Sequence, residues 1–72
     1  MIVVKNPEQL KRDLTSNGNT MTSVAERLRC SKAFISSIVT GVRNPNPNIA
    51  IGICEILGKQ FETYFFIRDV NK

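Results

Sequence analysis

Apolar residues recur along this chain at helical spacing, in stretches separated by turn-forming residues. Leu10 and Leu14 are four apart, which sets both on one inward stripe of a first helix. Its start is marked by Asn6-Pro7-Glu8-Gln9. Asn6 caps, Pro7 takes the first helical position where its missing N–H costs little, and Gln9 supplies capping-box spacing. Ser16-Asn17-Gly18-Asn19 is a turn. Thr20 caps a second helix with Val24, Ala25 and Leu28 as its apolar face and Glu26, Arg27 and Arg29 as solvated charges. Arg29-Cys30 makes a tight turn into a third helix, capped by Ser31 and closed by Gly41, which can adopt the left-handed conformation. Ile35 and Ile38 share the inward face of that helix. Lys32, Ala33, Ser36, Ser37 and Thr40 look outward, joined by Phe34 or Val39 according to the rotation of the helix.

Two prolines in three residues, Pro45 and Pro47, forbid helix after Gly41 and force an extended loop. Asn46 then caps a fourth helix, with Pro47 in its first turn. Ile49, Ile53, Ile56 and Leu57 make it the most apolar of the set, Gly52 allows a close backbone approach, and Gly58 stops it. Phe61 and Phe65 suggest a short fifth helix, and Phe61, Tyr64, Phe65 and Phe66 are expected in the core. The β-branched run Ile2-Val3-Val4 reads as a short arm over residues 2–5, or as a strand packed on the body. Residues 64–70 either finish the fifth helix or turn into a strand against that run, and residues 68–72 read as a frayed tail. No repeat or low-complexity segment is visible.

Composition narrows the function classes. Seventy-two residues make one domain, residues 1–72, with a small core that is marginal alone. The net charge of +4 suits nucleic acid or an acidic protein surface. The longest apolar runs are too short to span a bilayer, no secretory signal is seen, and cytoplasmic residence is expected. With two cysteines, Cys30 and Cys54, and no histidine, reduced core thiols are expected rather than a metal site. No histidine can activate a serine, and no paired carboxylates occur, so neither an enzyme nor a cofactor is expected.

The capped pair of helices over 20–41 has the form of a helix-turn-helix. From residue 20 to residue 65 the chain resembles the Cro and CI phage repressors of the broad Xre-type family. The resemblance is carried by Ala25, Leu28, Ser31, Ile35, Ser36 and Ile38 in the two motif helices, and by Gly41, Arg43, Asn44 and Pro45 in the following loop. Ile53, Leu57, Gly58 and Phe65 match the closing pattern. It implies an all-α domain of five helices and regulation of transcription in a phage or mobile element. On the family's geometry Lys32, Ala33 and Ser37 take base-reading positions, with Lys32 donating to guanine and Ala33 touching a thymine methyl. Thr20, Thr40, Arg43 and Asn44 take positions that hold phosphates.

Departures from the family's pattern shape the functional expectation. Met21 stands where a Gln is usual, and Phe34, Val39 and Val42 stand where polar residues are usual. The third helix carries one charge, Lys32, and no Arg, Gln or Asn. A groove-reading helix needs donors and acceptors, whereas large apolar groups buried against a protein release roughly 1.5–3 kcal/mol each. The chain is also similar in size and organisation to the modulator-of-repression proteins of lactococcal temperate phages, which act through the CI repressor. The expectation is therefore an antirepressor whose helix 2–3 face, with Met21, Lys32, Ala33, Phe34, Ser36, Ser37, Val39, Thr40, Val42, Arg43 and Asn44, binds a CI-type repressor. The alternative is a Cro-like dimer that binds operator DNA directly, alone or jointly with the repressor. An antitoxin is the third reading. No membrane or small-molecule ligand is inferred.

Overall fold

The computed structural model describes residues 1–68. Five helices follow one another: α1 (Pro7–Ser16), α2 (Met21–Leu28), α3 (Lys32–Val39), α4 (Pro47–Leu57) and α5 (Phe61–Tyr64). Two short strands, β1 (Ile2–Val4) and β2 (Phe65–Ile67), complete the fold. They pair antiparallel, Ile2 opposite Ile67 and Val4 opposite Phe65. Of the two fates open to this segment, strand pairing is adopted by Phe65–Ile67, so Phe65 leaves the fifth helix in which it was expected, while Tyr64 ends α5 and residues 69–70 lie outside the described residues.

The helices begin where capping chemistry places them. The side chains of Asn6, Thr20, Ser31 and Asn46 each accept from the backbone N–H three residues on, which satisfies a donor the helix itself cannot. Thr20 and Ser23 form a reciprocal box, each side chain accepting from the other's backbone. Gln9 does not close such a box on α1. Its amide donates instead to Asp13 one turn on, at 2.8 Å.

A single core unites the elements. Leu10 and Leu14 of α1, Val24 and Ala25 of α2, and Ile35 and Ile38 of α3 meet Ile53 and Leu57 of α4 there. α3 packs on α1 and α2, while α4 packs on α2 and α5. Gly52 makes the α2–α4 approach possible, since a Cβ at this position would lie 2.3 Å from Leu28 Cδ2. The ribbon closes the far side: Val4 and Phe65 are buried, the Lys5 N–H donates to the Tyr64 carbonyl, and the Lys5 ammonium donates to the Glu62 carbonyl.

Two expectations need correction here. Phe66 is 41% exposed rather than core, because strand alternation turns it to the face opposite Phe65. Arg68 is not frayed. Its N–H donates to the Met1 carbonyl at 2.7 Å, and its carbonyl accepts from the Met1 amine. Residues 69–72 of the expected tail lie outside the described residues.

Candidate functional site

The corner between α2 and α3 is built by backbone closure followed by a new cap. Arg29, just past α2, adopts φ 59° and ψ 46°. Its N–H donates to the Glu26 carbonyl, and the Cys30 N–H donates back to Ala25 at 2.9 Å. These are the two bonds of a Schellman closure, which needs a left-handed residue at this point. Ser31 then restarts the helix, its hydroxyl accepting from the Phe34 N–H at 3.0 Å. The far end of α3 closes in the same way on Gly41, at φ 82°, with the Val42 N–H donating to the Ser37 carbonyl. Beyond it, buried Pro45 pins the loop, and Gly41 sits so near Pro7 that a Cβ would approach its ring to 3.1 Å.

This frame fixes the rotation of α3. Ile35 and Ile38 are fully buried, and Val39 is buried with them at 3% exposure. Val39 therefore leaves the outer face on which it was expected. With Ile35 and Ile38 facing α1 and α2, the 100° step per residue carries position 39 to the core side of the helix. Phe34 and Met21 are half-buried and lean on the core. Val42, in the loop after α3, is 76% exposed, the one large apolar side chain of the expected set that stands free. The other exposed large apolar groups, Met1, Ile51, Phe66 and Ile67, lie on the ribbon and α4.

Lys32, Ala33, Ser36, Thr40, Arg43 and Asn44 are exposed, and Ser37 is half-buried. The hydroxyls are less available than the sequence suggests. Ser37 Oγ donates to the Phe34 carbonyl at 2.8 Å, and Thr40 Oγ1 donates to the carbonyls of Ser36 and Ser37. Among the described residues, Lys32 and Ser36 are the α3 side chains whose donors are not engaged within the helix. Lys32, Ala33, Ser36 and Thr40 thus follow one another at helical spacing on the exposed side of α3, Val42, Arg43 and Asn44 are exposed in the loop after it, and Met21, Phe34 and Ser37 are half-buried.

The sequence reading assigned Arg29 to solvent and missed its backbone conformation. The cue was the absence of a glycine at the end of α2, where α3 and α4 each supply one. Both cysteines are free thiols. Burial pushes the Cys30 and Cys54 thiols up, with Glu62 adding to the effect at Cys54. Both shifts work against formation of the reactive thiolate. No group of His, Cys, Asp and Glu among the described residues is arranged to hold a metal, and no described helix is long and apolar enough to cross a membrane.

Comparison with curated proteins finds no match. The family model HTH_3, described as helix-turn-helix, matches residues 10–63, which take in most of α1, all of α2, α3 and α4, and all but the last residue of α5. The chain belongs to this Cro/CI-type helix-turn-helix family of DNA-binding transcription regulators.

Proposed function

We propose that the chain is an antirepressor of a phage or mobile-element switch, docking its helix 2–3 face on the DNA-binding domain of a CI-type repressor and keeping that domain from its operator. The outer face of α3 carries this reading. It presents one charge, Lys32, one unengaged hydroxyl, Ser36, and otherwise the small side chains of Ala33 and Thr40 beside exposed Val42. Base edges and phosphates are held by many hydrogen-bonding groups, and this face offers few. Protein interfaces need less of that chemistry and gain from buried methyl groups. With Val39 buried, Val42 is the main apolar contact, the exposed parts of Phe34 and Met21 add area, and Lys32 and Arg43 pair with acidic groups of the repressor.

A second reading, a Cro-like repressor that binds operator DNA as a dimer, is favoured by the inward turn of Val39 and by exposed Lys32 and Arg43. The two separate in mobility-shift assays run with the purified protein alone and with the protein added to repressor–operator complex. The antirepressor reading expects no tight sequence-specific shift, and release of the operator when the protein is added to repressor–operator complex. Tight binding without the repressor, falling steeply with salt as counterions are displaced, overturns it in favour of the second.

A further inference from the structure

The inner face of the ribbon runs on past the core. Val4 and Phe65 are buried there, while Ile2 and Ile67, two positions along on the same face, overhang the body. Val3 and Phe66 fill the other face, so both strands are apolar throughout. Unbroken apolar strands are the pattern of a sheet covered on both sides. Under the overhang lies a groove of about 740 Å³, walled by Met1, Ile2, Ile67, Ile51 of α4 and Phe61 of α5. Three of its walls are exposed large apolar side chains: Met1 at 55%, Ile51 at 52% and Ile67 at 71%.

Area and charge select the occupant. A stable interface takes roughly 800 Å² from each partner, about a sixth of this chain's 4675 Å² surface. About 60% of that area, near 480 Å², is apolar. At about 200 Å² for a large side chain, the exposed parts of Met1, Ile51 and Ile67 supply roughly 350 Å², and half-buried Ile2 and Phe61 add to it. The groove therefore comes close to the requirement of a dimer. Its charge points the same way. The chain carries +4, so two copies repel wherever their cations meet. No Lys or Arg lines the groove, and the one charge there, Glu62, attracts a second cationic chain and repels an acidic partner. The helix 2–3 face, with Lys32 and Arg43, lacks that advantage.

We infer that this groove is the docking site of a second copy of the chain, in a two-fold dimer where each ribbon end lies across the other's groove. Ile67 then packs against Ile51 and Phe61 of the second copy. Asn44, at the groove's rim, is the one residue shared with the helix 2–3 face, so Lys32, Ser36 and Thr40 stay clear. The inference stands apart from the antirepressor reading.

The test is sedimentation of the purified full chain, as wild type, Ile67→Lys, Ile51→Lys and Val42→Lys, with Tm measured in parallel. Wild type is expected to reach twice the 8.1 kDa mass of one chain. Ile67→Lys and Ile51→Lys each weaken association about tenfold or more, with Tm at low concentration unchanged. Val42→Lys, on the other exposed apolar group, leaves the dimer intact. A monomer at every concentration up to about 1 mM overturns the inference. So does a dimer that survives both isoleucine substitutions, or one that Val42→Lys dissolves, since its contact then lies elsewhere. A monomeric wild type whose Ile67→Lys variant fails to release operator from repressor gives the groove to the repressor instead.

Discussion

The Tyr64 hydroxyl donates to the Asp13 carboxylate at 2.5 Å, joining the end of α5 to the middle of α1 across 51 positions of sequence. Tyr64 is 2% exposed and Asp13 is half-buried, so the bond is partly shielded from water. Burial first, then the hydrogen bond and charge of Asp13, push the Tyr64 phenol up to about 12. The folded value lies above the unfolded one, so the contribution to stability is complete below pH 10 and is lost as pH rises through about 12. Denaturant titrations should show wild type losing stability over that window, and Tyr64→Phe losing less. At neutral pH, Tyr64→Phe should cost about 1–2 kcal/mol.

Gly52 and Leu28 couple α4 to α2. Adding a methyl at Gly52 forces Leu28 Cδ2, 2.3 Å from the new atom, out of its place. Gly52→Ala alone should lower stability by about 1 kcal/mol, the overpacking outweighing the gain in helix propensity. In a Leu28→Ala background the same substitution should raise stability by up to about 1 kcal/mol. A double-mutant cycle read by urea denaturation checks the change of sign.

Ser31 begins the exposed helix, and its hydroxyl holds the Phe34 N–H. Ser31→Ala should cost about 1 kcal/mol of stability. Because the first turn of α3 also carries Lys32 and Ala33, affinity for the partner should fall as well. Calorimetric Tm and a binding isotherm on the same sample measure the two effects.

Val39 and Val42 should behave oppositely. Val39→Ala opens the core and should cost about 1–3 kcal/mol, with partner affinity unchanged once the folded fraction is accounted for. Val42→Lys, at a position 76% exposed, should leave Tm within about 2 °C of wild type. It should weaken repressor binding about tenfold or more by placing a charge at the apolar anchor. If operator DNA is the true target, the same substitution tightens binding and steepens the salt dependence. The direction of that one change separates the two readings.

The face of α3 shows how far reading from residues carries. Lys32, Ala33, Ser36 and Thr40 were placed outward from spacing alone, and the structure exposes them all. The choice between Phe34 and Val39 was open, because both sit at the border of the stripe set by Ile35 and Ile38. A change in rotation of a few tens of degrees moves either one across that border. Availability of the hydroxyls of Ser37 and Thr40 was equally invisible, since it depends on which rotamer reaches a carbonyl one turn back.

Sequence by itself determined the four longer helices, where each begins, and where α3 and α4 stop. Asn6, Thr20, Ser31 and Asn46 act on a backbone N–H three residues away, and Gly41 and Gly58 close the turn they follow. Interactions of that range are written in neighbouring letters. Tertiary structure alone decided the burial of Val39, the left-handed Arg29, the bond between Tyr64 and Asp13, and the pairing of β1 with β2. Each of these depends on where separate elements settle against one another, and that is set by the packing of the whole core rather than by any local pattern.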